Sequence, residues 1–305
     1  MGNHVREGSG ETRPRTELAW EDLGTPGARR DGVGSGADES VGEPHTAPTR
    51  IREPLPTHIS GLEPLSADYA EIVDAGLAAV GGEDLPAAAR TAIDDHVRLL
   101  MAWNEAINLS GIRTPEMIAR EHVLDSLAAL PLLRRAGIEE FVDLGSGGGY
   151  PGLPLALALP ARRALLVESI GKKARFLDVA VAALGLADRV SVAAARAENI
   201  AAERGHRGRW PAVVARAVAD LTELSELAMP LLAEGGLLVA WKRQPMDEEL
   251  SHAERAVRQL GGRLVACEPV SVPGLEDHVL AVVEKVAPTP PEFPRDPAAR
   301  RRRPL

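Results

Sequence analysis

From Tyr69 onward, apolar residues recur with regular periods. Tyr69 to Val80 and Pro86 to Leu109 carry them at helical spacing, through Ile93, Val97, Leu100, Met101, Ile107 and Leu109 in the second run. Pro86 suits a first helical turn, where no amide is needed. Thr114 and Pro115 then open a third helix, with Thr114 as its cap. That helix is expected to run to about Arg135, carrying Met117, Ile118, Val123, Leu124, Leu127 and Leu130.

Beyond it, short apolar runs alternate with helical stretches. The runs are Phe141–Leu144, Ala164–Glu168, Val190–Ala193, Ala212–Arg216, Gly236–Lys242, Arg263–Glu268 and Val279–Val283. The helices between them are expected at Leu153–Ala158, Lys172–Leu184, Ala197–Glu203, Leu221–Leu232 and Met246–Leu260. Strands that alternate with helices predict an α/β fold, a doubly wound and mostly parallel seven-stranded sheet preceded by a helical block. Such sheets bind ligands beyond the carboxyl ends of their strands, where the strand order switches. The boundaries read as 1–65 for a disordered extension, 66–286 for the folded domain with its helices at 66–137, and 287–305 for a disordered basic tail. The first segment has no apolar period and is rich in Gly, Pro, Glu, Arg and Ser, so it buries too little to offset its ordering entropy.

Composition narrows the class. A net charge of -9 argues against a protein that coats nucleic acid non-specifically, though not against a local basic patch. Cys267 is the only cysteine, so a disulfide framework and a thiolate metal cluster are both excluded. The eight histidines form no H-E-x-x-H pair, and no metal is expected. No apolar run reaches the roughly 18–20 residues of a membrane span. A cytoplasmic monomer is the simplest expectation.

The most specific chemistry lies at Asp143-Leu144-Gly145-Ser146-Gly147-Gly148-Gly149-Tyr150-Pro151-Gly152, between a strand and a helix. The order D-x-G-x-G-x-G is the form that holds S-adenosylmethionine (AdoMet) rather than a dinucleotide. Asp143 is placed to answer the ammonium of a methionine moiety. Glu168, 23 residues after Gly145, is placed to accept hydrogen bonds from ribose hydroxyls. A second register, with Gly147, Gly149 and Gly152 in G-x-G-x-x-G, matches a dinucleotide site and is weak alone. A ligand-free tight turn is the bland alternative.

Other candidates cluster near the same edge. Ala197 and Glu198 follow the third strand and are placed to edge an adenine ring, or simply to start a helix. Arg216 ends the fourth strand, where it would hold cofactor or a substrate phosphate, or else pair with a carboxylate. Lys172, Lys173 and Lys242 suit RNA phosphates. Arg120 and His122 share the pre-sheet helix; no nucleophile accompanies His122, so a structural histidine is the first reading. Arg300 to Arg303 read as a solvated basic tail.

Taken together, residues from about Leu85 to Val286 closely resemble the RsmG (GidB) family of bacterial 16S rRNA (guanine-N7)-methyltransferases. The resemblance is carried by Trp103-Asn104, Arg120-Glu121-His122-Val123-Leu124-Asp125-Ser126, the glycine turn through Pro154, Gly171-Lys172-Lys173, Arg196-Ala197-Glu198, Ala215-Arg216-Ala217 and Trp241-Lys242. It implies a Rossmann-like class I methyltransferase that carries a methyl group from AdoMet to N7 of one guanosine near the decoding site. It also implies cofactor contacts at Gly145, Tyr150, Ala197, Glu198 and Arg216, to which the turn adds Gly147 and the second strand Glu168. N7 keeps a lone pair at neutral pH, so no dedicated general base is expected, and Arg216 and Lys242 are read as positioning groups. Two rivals stay open: an NAD-dependent oxidoreductase on the same sheet, and a non-catalytic RNA-binding protein on a methyltransferase fold.

Overall fold

The computed structural model describes residues 54–305. The block before the sheet comprises α1 (Ala67–Leu77), α2 (Ala87–Asn104), α3 (Pro115–Ile118), α4 (Asp125–Leu127) and α5 (Leu130–Arg135). Ser66 caps α1 by accepting from the Tyr69 amide, and Thr114 caps α3 by accepting from that of Met117. The single helix expected from Thr114 to Arg135 is broken. A π-helical segment, Ala119–Leu124, follows α3, and Pro131 sits in the first turn of α5, where a helix begins anew. Ile118, Ala119 and every residue from His122 to Leu127 are buried. From His122 to Leu127 no position faces water, so the sequence pattern there had no stripe to reveal the changed winding.

The strands are β1 (Glu140–Leu144), β2 (Arg163–Val167), β3 (Val190–Ala193), β4 (Trp210–Arg216), β5 (Leu232–Arg243), β6 (Gly262–Pro269) and β7 (His278–Lys285). They form one seven-stranded sheet in the order β3-β2-β1-β4-β5-β7-β6. β1 to β5 are parallel, and β7 is antiparallel to both β5 and β6. The chain order switches between β1 and β4, which pair directly through Leu144 and Ala215 at their carboxyl ends.

Connecting helices are α6 (Gly152–Ala158), α7 (Gly171–Ala183), α8 (Ala197–Ala202), α9 (Leu221–Ala228) and α10 (Asp247–Gln259). α9 ends earlier than expected because β5 already begins at Leu232. Strand residues alternate between two cores, as a pleat requires. Phe141, Leu166, Val214 and Val239 join the core beneath α2, α6 and α7. Val142, Val167, Val213 and Leu238 join the core beneath α8, α9 and α10.

Both ends depart from expectation. Of the segment read as a disordered extension, residues 1–53 lie outside the described residues, whereas Leu55, Ile59, Leu62 and Leu65 pack on the first core. Trp103 Nε1 also donates to the Pro56 carbonyl at 2.7 Å. The stretch 287–305 is likewise held, and contains α11 (Pro297–Arg302). Arg207 donates to the carbonyls of Phe293 and Pro290 at 2.7 and 3.0 Å, and Arg295 pairs with the buried Glu226 carboxylate at 2.5 Å. The stretch that read as a solvated tail is therefore fastened by a buried acid and by Arg207, partners that only the fold brings near.

Candidate active site

The glycine turn lies between β1 and α6. Gly145 has φ +72°, and a Cβ there would meet Val218 Cγ2 at 2.7 Å, so the backbone needs glycine. Asp143 is fully buried beneath the turn. Its Oδ2 accepts from the Gly152 amide at 3.0 Å, while Oδ1 is buried without a partner among the described residues. Burial raises its pKa to about 7. Asp143 thus ties down the start of α6 rather than facing a cleft, which corrects its expected role toward a ligand ammonium. Glu168 is 6% exposed and accepts from the Gly147 amide at 2.9 Å and the Ile170 amide at 2.7 Å. Before any ribose, this carboxylate serves the turn and the start of α7; each oxygen retains a further lone pair.

Two clefts adjoin at the strand ends. One, of about 190 Å³, is lined by Gly145, Val167, Ala197, Glu198, Val218 and Arg300. The other, of about 400 Å³, is lined by Glu121, His122, Arg216, Trp241, Lys242 and His278. Ala219 borders both. Ala217, between Arg216 and that shared wall, has φ 56°, a strained conformation for a residue with a Cβ.

Arg216 crosses from the sheet to the helical block. Its guanidinium donates to Asp125 Oδ2 at 2.8 Å and to the Glu121 carbonyl at 2.6 Å. Asp125 is 1% exposed, its Oδ1 lies 2.8 Å from His278 Nδ1, and its carbonyl accepts from Trp241 Nε1 at 2.7 Å. The guanidinium also reaches His122 Nδ1 at 3.0 Å. The same nitrogen lies 3.1 Å from the Glu121 carbonyl, and Nε2 is 2.6 Å from Ser110 Oγ. Burial, helped by the Arg216 charge, lowers the His122 pKa to about 3. A neutral imidazole with both nitrogens engaged is a poor general base. Tyr150 is stacked between His96 and His122, at 4.6 and 4.5 Å between ring centroids.

Comparison with known proteins decides what this arrangement belongs to. The profile described as "rRNA small subunit methyltransferase G" (GidB) matches residues 90–275. The chain is 42% identical over 206 residues to ribosomal RNA small subunit methyltransferase G of Roseiflexus sp. (strain RS-1), a match covering 68% of this chain and 87% of that protein. The chain belongs to the GidB family. The protein of the same description from Deinococcus radiodurans is 42% identical over 198 residues, covering 65% and 78% of the two chains. A solved O-methyltransferase from Bacillus cereus, in complex with S-adenosylhomocysteine, is 15% identical with a TM-score of 0.46, covering 71% of this chain and all of that one. That looser likeness adds nothing to an assignment that rests on the family.

In this GidB-family chain the expected site residues separate by location. Gly145, Ala197 and Glu198 share the smaller cleft, with Gly147 held beside it by Glu168. Arg216, His122 and Lys242 share the larger one. Lys242 is not a free cation for RNA: Nζ donates to the Ala219 carbonyl at 2.7 Å and to Glu249 Oε1 at 2.6 Å. Lys172 is exposed and Lys173 half-buried at the start of α7, outside both clefts. Arg120 is exposed on the π-helical segment and borders a different depression, with Glu116 and Val272. The sequence reading missed the pairing of Asp125 with His278, and the docking of Arg300 on the smaller cleft. His278 and Arg300 both lie beyond the matched stretch.

Proposed function

We propose that this GidB-family protein transfers a methyl group from AdoMet to N7 of a guanosine in small-subunit rRNA. The observation that carries the proposal is the pair of adjoining clefts, one closed by the glycine turn and the other by a neutral, fully engaged polar network. The smaller cleft suits the cofactor: the turn leaves room where a Cβ would collide, Glu198 lines the cleft with a carboxylate for a cationic, hydroxyl-rich nucleoside, and Glu168 holds the turn beside it through the Gly147 amide. Gly145, Ala197, Glu198 and Glu168 would hold it, with Gly147, Tyr150 and Arg216 bordering its path to the larger cleft. A dinucleotide is disfavoured. The first amide of α6 is already taken by Asp143, whose carboxylate would repel a pyrophosphate there.

AdoMet, when bound, supplies a methyl group activated by its sulfonium. The protein's task is then alignment, worth up to roughly 7–11 kcal/mol in favourable cases. Gly145, Ala197 and Glu198 would hold the group so that its methyl meets the N7 lone pair, which would leave the base cationic. No proton need leave N7, which agrees with a neutral His122 committed to Arg216 and Ser110. Asp125 neutralises Arg216, so that the guanidinium positions groups without opposing the cationic product. Ribosomal RNA places the protein in the cytoplasm under this reading.

Purified protein should bind S-adenosylhomocysteine in a calorimeter. It should also incorporate label from AdoMet into small-subunit rRNA, with mass mapping locating the methyl on a guanine N7. Binding of NAD in preference to S-adenosylhomocysteine, or a methyl group found on another atom, would overturn the assignment.

A further inference from the structure

The segment after the family match reaches back into the smaller cleft. It is fastened at several points before it arrives. Lys285 Nζ donates to the Met229 carbonyl at 2.6 Å and to Thr289 Oγ1. The Arg295 guanidinium holds both oxygens of Glu226, at 2.9 and 2.5 Å, and the Arg295 amide donates to the same carboxylate at 2.8 Å. Asp296 caps α11, accepting from the amides of Ala298 and Ala299. This sequence of ties delivers one arginine into the fold. Arg300 is 8% exposed, and its guanidinium donates to Glu198 Oε1 at 3.4 Å, to Glu223 Oε1 at 3.2 Å and to the Arg295 carbonyl at 2.7 Å.

We infer that the carboxy-terminal segment is a working part of the cofactor site, in which Arg300 is a positioning residue that fixes the Glu198 carboxylate for the exocyclic amine of adenine. The inference rests on the AdoMet reading of that cleft. A carboxylate next to a nucleobase recognises an amine only while it stays charged and keeps its orientation. Only 14% of the Glu198 side chain is exposed, so the cost of burying its carboxylate is offset by a cationic partner that also fixes its orientation. Arg300 is the side chain that supplies that charge, and it meets Glu198 from the side of α9. It leaves the second oxygen, Oε2, for the ligand. A free basic tail would supply neither effect. The family profile ends at residue 275, so Arg300 lies outside the matched stretch.

Calorimetric titration with S-adenosylhomocysteine and with S-inosylhomocysteine, whose base carries a carbonyl in place of the amine, tests the idea. The intact protein should favour the adenosine form. Arg300→Ala should weaken that form about tenfold, the scale of one lost charge-assisted contact, and should barely affect the inosine form. The preference for adenine therefore collapses, and Arg300→Lys should restore part of it. Arg300→Gln, which keeps the stem packed, serves if the alanine variant does not fold. An unchanged preference, or tighter binding once Arg300 is removed, would overturn the inference and leave the cofactor reading standing. Failure of the intact protein to bind either compound would defeat the cofactor reading itself.

Discussion

His96 shows how one side chain couples stability to the site. It is fully buried; Nε2 bonds to the Gly148 carbonyl at 2.8 Å, and the ring stacks on Tyr150. Because a carbonyl only accepts, the proton sits on Nε2, and Nδ1 is buried without a partner among the described residues. A second proton on Nδ1 would have no acceptor, and burial accordingly lowers the pKa from 6.5 to about 4. A depressed folded pKa contributes stability that is fully present above the unfolded value and is lost as pH falls through the folded one. Acidification from about pH 6.5 to 4 should therefore remove up to about 3 kcal/mol at this site. Urea midpoints measured across that range should fall less steeply for His96→Gln than for the intact protein. Equal slopes would mean that His96 is not the group responsible. Asp143 acts in the opposite sense, since its raised pKa favours the fold at low pH and is lost as pH rises toward about 7.

Between elements, the decisive tie is Arg216 of β4 to Asp125, at the junction of the π-helical segment and α4. It joins the sheet to the helical block across 91 residues of chain. Removing one partner of a buried pair leaves the other charge without compensation, at a cost of about 3–5 kcal/mol. Arg216→Ala should lower unfolding stability by about that amount. Adding Asp125→Asn should cost much less than the sum of the two single changes, because the stranded charge is then gone. Additive losses in urea unfolding would show that the pair is not coupled. The limits of β1, β3 and α6 were legible in the sequence to within a residue, since their apolar runs are short and bounded. The winding from His122 to Leu127 was not, because burial on all sides erased its period there. The same burial hid the partner of Arg216, which Asp125 becomes only once the helical block lies over the sheet edge.

For the molecule as a whole, a net charge of -9 must coexist with an RNA substrate under the proposed function. The charges that meet phosphate have to be the exposed ones at the carboxyl edge of the sheet. Lys172, exposed, and Lys173, half-buried, open α7 there, while Arg243, with 60% of its side chain exposed after β5, already pairs with Asp277 and Glu121. Lys242 is consumed by Glu249 and the Ala219 carbonyl. Affinity for small-subunit RNA should fall with added salt as counterions are released. Replacing Lys172 and Lys173 by glutamine should flatten the logarithmic salt slope by about one per residue. Lys242→Gln should leave the slope alone and lower stability instead. A reversed pattern in filter-binding titrations would move the RNA to a different face.

What the sequence determined alone was local: alternation and helical period along each element, the glycine turn that no side chain can replace, and through these the family. Such features are set by neighbours in the chain, so they survive without the fold. What the tertiary structure decided was which charges remain available. Asp143, Glu168, Lys242 and Arg300 are ordinary ionisable residues in one dimension, and each acquires its role from an amide, carbonyl or carboxylate brought to it from elsewhere in the chain. A buried charge costs too much to leave uncompensated, so partner and role are fixed together, at the moment distant segments meet.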